Sequence, residues 1–256
     1  MVRTLEPAKV VDDFVTRIRD AKARSDVEYK AIPYAAHDKL RRQRGLVSDF
    51  AFRLGGEWEL FQHRWHIAVV SKEPAAFVAR LQDLLDEAVA KLPGHGVVPV
   101  LNSFRPKYPT RLTADTIEAL LDGSGYNITF KSVSDWKKGA AQDFTNRYNG
   151  RVARIAGNAE DTCVLDLVKA VRNFIAHKSD LSRMTLNERI AARATPSQGS
   201  GLIGEVNAGL ARGPGKRVLD VGVYLQGRAA PGFPRRVTVL TDRLASVALS
   251  LRESGS

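Results

Sequence analysis

The chain is poor in cysteine, in acidic side chains relative to basic ones, and in long apolar runs. One cysteine, Cys163, in 256 residues excludes an intrachain disulfide and any zinc site built from cysteines. Between Thr162 and Val164 in an apolar stretch, it reads as a small core residue rather than a reactive thiol. No segment approaches the roughly 18 consecutive apolar residues that span a bilayer. The first residues, MVRTLEPAKVVDDF, put acidic side chains where a secretory signal is continuously apolar. Together these point to a cytoplasmic protein with no membrane partner. The acidic deficit, 28 Asp plus Glu against 39 Lys plus Arg for a formal charge of +11, favours polyanions through counterion release. Nucleic acid is the leading partner; an anionic membrane surface would answer the same charge, but the lack of an apolar span and signal places it second. Recognisable machinery of several enzyme classes is missing too. GPGKR at 213–217 lacks the full spacing and the Ser or Thr of a phosphate-binding loop. There is no nucleophile elbow, no Ser-His-Asp order and no obvious carboxylate pair.

What the chain does contain is helical periodicity over a hydrophobic fraction of 44%, ample for a core. Val10, Val11, Phe14, Val15 and Ile18 make one buried stripe between Glu6 and Lys22. A basic cluster, KLRRQRG at 39–45, precedes a helix in LVSDFAFRL, and the apolar positions from Trp58 to Val70 allow a further helix. Pro74 opens PAAFVARLQDLLDEAVAKL, which stops at Pro93-Gly94. The Pro-rich PGHGVVPVLNSFRPKYP reads as a linker. Thr113 caps a short helix ending at Gly123 and Gly125, YNITFKS alternates like a short strand, and a polar helix runs from Ser134 to about Ile155. Asn158 caps AEDTCVLDLVKAVRNFIAH. Beyond it a helix is expected over 185–193, then a TPSQGSG linker and a short helix in LIGEVNAGLAR. The β-branched stretches KRVLDVGVYLQG and RRVTVLTDRLASVAL suggest two strands and a closing helix.

The segment that carries chemistry is RNFIAH at 172–177. At about 100° per residue, Val164, Leu167, Val168, Val171, Phe174 and Ile175 share one arc, and Asp166, Lys169, Asn173 and His177 fall opposite. Arg172 sits at the margin, about 140° from His177 on an ideal helix. Cationic residues at a helix C-terminus are favoured by the helix dipole alone, so spacing by itself leaves a purely structural role open.

This arrangement, an Arg followed by a polar residue and, four residues further on, a His preceded by a small Ala, resembles the signature of HEPN domains, the higher eukaryotes and prokaryotes nucleotide-binding helical domains. The similarity is carried by VKAVRNFIAHKSD and extends over the helical region at 112–193. It implies a HEPN-like helical bundle; with the N-terminal helices and C-terminal strands read above, which the similarity does not cover, the expected fold is mainly α, a HEPN-like helical bundle with additional N-terminal helices and a small C-terminal β element. In domain terms this gives an N-terminal helical region at 1–93, a linker at 94–112, and a HEPN-like domain with a C-terminal α/β extension at 113–256. The activity it implies is metal-independent endoribonuclease chemistry, without cofactor, at a site shared by two protomers of a homodimer. His177 would shuttle a proton during attack of the ribose 2′-hydroxyl on the adjacent phosphate, Arg172 would hold that phosphate, and Asn173 would orient His177 or bond the phosphate. Imidazole titrates near neutrality and guanidinium is a permanently charged fork, so the residue types suit those roles. The biological setting implied is a toxin or antiphage-defence effector of the abortive-infection kind, restrained by an antitoxin or another regulatory protein. A non-catalytic nucleic-acid-binding or scaffold module is the alternative.

Lys169 and Lys178 around the motif, with Arg41 and Arg42 of the basic cluster, are the candidate RNA-binding cations; RPKYPTR at 105–111 is a second basic stretch. His63 and His66 have the one-turn spacing of metal ligands, but only Glu57 and Glu59 lie near in sequence. An amphipathic or core role fits the pair better, and no metal is expected.

Overall fold

Two long helices open the chain and lie against each other. The computed structural model describes residues 5–33, 37–91, 112–121, 129–212 and 217–252. Helix α1, Pro7–Ala31, starts on a proline whose missing N–H costs nothing in the first turn. It buries the expected stripe, with Val11 and Phe14 fully enclosed. It continues nine residues past Lys22 because no breaker intervenes and Lys22 pairs with Asp26 one turn on, at 2.5 Å. Helix α2, Lys39–Lys72, fuses the basic cluster and both expected apolar segments into one 34-residue rod. Lys72 reaches Glu6 at 2.8 Å, while Gln43 donates to the Tyr29 carbonyl at the other end. The two helices are therefore antiparallel. Trp65 to Val70 are all buried, so the end of α2 is enclosed on every side, as a central helix must be.

Helices α3 (Ala75–Ala90) and α4 (Ala114–Leu121) follow, the second capped by Thr113, whose Oγ1 accepts from the Thr116 N–H at 3.1 Å. The expected 134–155 helix is two: α5, Val133–Asp143, capped by Ser132, and α6, Asn146–Gly157. Phe144 and Thr145 adopt extended backbone between them, and the Phe144 ring drops onto Trp65 with centroids 5.6 Å apart. Trp65 also meets Trp136 and Tyr148 edge-on, an arrangement that suits the ring quadrupoles. This aromatic group ties α2 to α5 and α6.

Helix α7, Ala159–His177, begins and ends where the sequence places it. Asn158 Oδ1 accepts from the Glu160 and Asp161 N–H groups at 2.9 and 3.3 Å, and those acids in the first turn complement the dipole. Lys178 closes the helix in left-handed conformation, φ 50°. Helix α8, Asp180–Arg189, starts five residues ahead of the expected Thr185 because Ser179 caps it.

The C-terminal β element requires correction. Among the described residues there are no strands, only isolated bridges: Ala191 with Arg212, Ala192 with Leu202 and Arg228 with Arg235. KRVLDVGVYLQG instead contributes α9, Val221–Gln226, capped by Asp220. RRVTVLTDRLASVAL forms α10, Arg236–Leu249. Its buried Val237, Leu240, Thr241, Leu244, Ala245 and Ala248 recur at helical spacing, and that burial overrides the β propensity of its valines and threonines. LIGEVNAGLAR supplies only one 3₁₀ turn, Glu205–Asn207.

The chain is mainly helical, with ten α-helices among the described residues. A continuous apolar core joins α1 and α2 to α7 and α10. Most of the 94–112 linker, the RPKYPTR stretch and the end of the helix at Gly123 and Gly125 fall outside the described residues, as does GPGK of GPGKR. Leu112, the last residue of the linker, is buried in the core. Of YNITFKS only residues 129–132 are described, and they form no strand.

Candidate functional site

The end of α7 is set by a close crossing with α2. Gly55, in the middle of α2, faces Arg172: a Cβ built there would lie 2.7 Å from Arg172 Cβ and 2.9 Å from its Cγ. No side chain fits, so the glycine lets the two helices approach. The stem of Arg172 then runs along α2. Its Nη2 meets Glu59 Oε2 at 3.3 Å, and its Nη1 donates to Asn173 Oδ1 at 3.4 Å. The arginine side chain stays 34% exposed. Beside it is a small pocket of about 30 Å³ bounded in part by Glu59, Gln62, Lys169 and Arg172, with space for a water molecule.

His177 occupies the last residue of α7 and is exposed. Its imidazole has no hydrogen bond or ion pair among the described residues. Arg172 and Asn173 are thus brought together, while His177 stands on the other flank, five residues and about 140° away on a regular helix. The rise over that interval is roughly 7.5 Å, so one phosphate is not gripped by both within a single regular turn of α7.

The other candidate cations divide. Lys169 is partly buried and donates to the carbonyls of Phe130 (3.0 Å) and Lys131, clamping that segment to α7. Burial pushes its ammonium below the usual lysine range, against the pull of Glu59, Asp166 and Asp135. Asp166 has its carboxyl pushed upward by burial, opposed by Arg189 and Lys169. Arg42 is exposed and bonded to Asp38 at 2.9 Å, which holds that carboxyl below its ordinary value. Arg41 and Lys178 are exposed. Lys178 lines an open cleft of about 430 Å³ between α2, α7 and the chain entering α9. Arg41 lies two turns before Ser48 of that cleft, on the same face of α2.

His63 and His66 are enclosed, at 4% and 1% exposure, and serve different acids. His63 Nε2 lies 3.3 Å from Glu118 Oε1, and His66 Nε2 lies 2.9 Å from Asp143 Oδ2, whose other oxygen meets Arg80 at 2.7 Å. Among the described residues no group of three His, Cys, Asp or Glu side chains is arranged to hold a metal. Cys163 is buried beside Asn207, and burial pushes its thiol upward; its place is in the core. No helix among the described residues is long and apolar enough to cross a membrane.

The sequence gives no sign of Glu59 or of the cleft, because both depend on α2 reaching α7 from more than 100 positions away. Gly55-Gly56 inside an otherwise helical run was the available signal, since glycine is retained mid-helix at a cost of about 1 kcal/mol. No family model, curated protein or solved structure matches the chain.

Proposed function

We propose that the protein is a metal-independent endoribonuclease of HEPN type, its helices forming a HEPN-like bundle that pairs with a second copy. The observation that carries this reading is the unengaged, solvent-facing imidazole of His177, one turn beyond Asn173, to which Arg172 is linked. A histidine kept for structure is ordinarily engaged inside the fold, as buried His66 is through its Nε2 contact with Asp143. An imidazole at the surface is within reach of a substrate to which it can pass a proton or from which it can take one.

In a dimer with α7 facing α7, the 140° separation becomes an advantage, because Arg172 of one protomer and His177 of the other can flank one phosphate. The ribose 2′-oxygen attacks the adjacent phosphorus as its proton passes to an imidazole. The bond to the 5′-oxygen breaks as that oxygen takes a proton from the imidazolium, and a 2′,3′-cyclic phosphate remains. Arg172 stabilises charge on the equatorial oxygens, exchanging Glu59 for phosphate as it does so. Lys178 and Arg41 draw the RNA in. Cellular RNA as target, a toxin or antiphage-defence role, and restraint by an antitoxin or regulatory protein complete the proposal.

One observation favours the non-catalytic alternative: the Arg172 pair with Glu59 binds α7 to α2 and would serve a scaffold equally well. The two separate when the purified full chain, freed of any partner, is incubated with a panel of tRNA, rRNA and mRNA in EDTA. Cleavage is expected of the wild type; an intact panel would leave the binding module standing.

A further inference from the structure

We propose that the cleft between α2, α7 and the entry to α9 is a base pocket that takes a guanine of the RNA, read through Asp49. The identity of the ligand as a nucleotide rests on the ribonuclease reading; the pocket itself rests on the following geometry. Its volume, about 430 Å³, falls in the roughly 300–1,000 Å³ range of small-ligand sites. Phe174, Ile175 and Val221 give it apolar walls, Asp49 stands on the α2 side and Lys178 at the end of α7, and Arg183 of α8 also borders it, paired with Asp180 at 2.6 Å. Elsewhere opposite charges on neighbouring elements close on each other: Arg172 on Glu59 at 3.3 Å, Arg189 on Asp166 at 2.9 Å, Arg243 on Asp161 at 2.8 Å. Those pairs are partly buried; Asp49 and Lys178 line one cleft as exposed side chains, and neither has a partner among the described residues. A cleft bordered by an acid and a base can take a molecule that presents hydrogen-bond donors to the one and an anion to the other.

A nucleotide does this, and its bases differ in how well. A carboxylate accepts only. Guanine alone offers it two adjacent donors, N1–H and the 2-amino group; adenine and cytosine offer a single amino group beside an acceptor, and uracil one N–H between two carbonyls. The apolar walls suit the faces of an unstacked base, the usual object of single-stranded RNA readout. The other carboxylate in the cleft, Asp220, is fixed as the cap of α9 by accepting from the Val223 N–H at 3.0 Å, whereas the Asp49 side chain has no such tie, and Asp49 is taken as the reader. The cleft also adjoins the candidate reaction centre, since Phe174 and Lys178 lie three residues before and one after His177. A guanosine held there places its own 3′-phosphate toward the exposed end of α7, which makes the enzyme guanine-preferring.

The test is calorimetric titration of the full chain with the 3′-monophosphates of guanosine, adenosine, cytidine and uridine, for wild type, Asp49→Asn and Lys178→Ala. Guanosine 3′-monophosphate is expected to bind roughly tenfold more tightly than the other three. Asp49→Asn should erase that ranking, because an amide presents a donor where guanine needs an acceptor. Lys178→Ala should weaken all four alike. Absence of saturable binding, equal affinity for the four, or a guanine preference that survives Asp49→Asn would overturn the proposal. The ribonuclease reading stands or falls separately. Guanine binding without RNA cleavage removes the enzyme and keeps the pocket; RNA cleavage without a guanine preference does the reverse.

Discussion

A His177→Ala protein is expected to fold normally and to cut RNA slower by a factor on the order of 10³, the loss typical of removing a positioned proton-transfer group. The fold should not register the change. His177 is exposed at the final residue of α7, and its ring has no partner among the described residues, so stability should move by no more than about 0.5 kcal/mol. Arg172→Ala offers an instructive contrast. It should lose cleavage to a similar degree, through lost transition-state charge stabilisation, but it also strips Glu59 of its partner and removes packing against Gly55. That pair is about one-third exposed on each side, so its contribution to stability is at most about 1 kcal/mol. End-labelled RNA resolved on a denaturing gel, with thermal melts of the same samples, checks both. Undiminished cleavage by His177→Ala would remove that residue from the chemistry.

Gly55→Val should destabilise the protein by about 1–3 kcal/mol, and its neighbour Gly56→Ala should stabilise it by up to about 1 kcal/mol. Both replace a mid-helix glycine, so intrinsic helix propensity favours both changes. Only the surroundings differ. At Gly55 the new Cβ meets the Cβ and Cγ of Arg172 at 2.7 and 2.9 Å, while at Gly56 nothing lies within 4 Å. The obstruction at Gly55 is the base of a side chain, which moves only if α7 moves, and overpacking of that kind carries the stated cost. Urea midpoints that shift in opposite directions for the two variants would establish the close crossing of α2 and α7. A Gly55→Val protein as stable as wild type would place the helices further apart. Because Arg172 is the residue displaced, Gly55→Val should also depress RNA cleavage.

How much of this was legible in the sequence depends on how local its cause is. Helix α7 was readable end to end: Asn158 is a cap, the buried stripe has helical period, and both signals act within a few residues. The stripe of α1 was readable for the same reason, though not its length, which is decided by the lack of any breaker before Pro33. Misreadings arose where local preference and tertiary burial disagree. Val237, Val239 and Thr238 resemble a strand by composition, yet α10 follows the helical period of what it buries. The long α2 reads as separate pieces, and the need for glycine at Gly55 comes only from the close approach of α7, which local pattern does not reveal. At the site, Arg172, Asn173 and His177 were visible as a string. Their separation into a linked pair and an isolated imidazole, the Glu59 contact, and the cleft shared by Asp49 and Lys178 all arise from residues distant in sequence.

The most direct test concerns the ends of the RNA fragments. Full-length protein is incubated with RNA in EDTA, and the products are identified by mass spectrometry, beside an RNA carrying 2′-O-methyl groups. Attack by the ribose hydroxyl through His177 and Arg172 leaves 2′,3′-cyclic phosphate and 5′-hydroxyl ends and spares the methylated strand. Fragments with 5′-phosphate ends, cleavage of the methylated strand, or activity that appears only when a divalent metal is restored would contradict it.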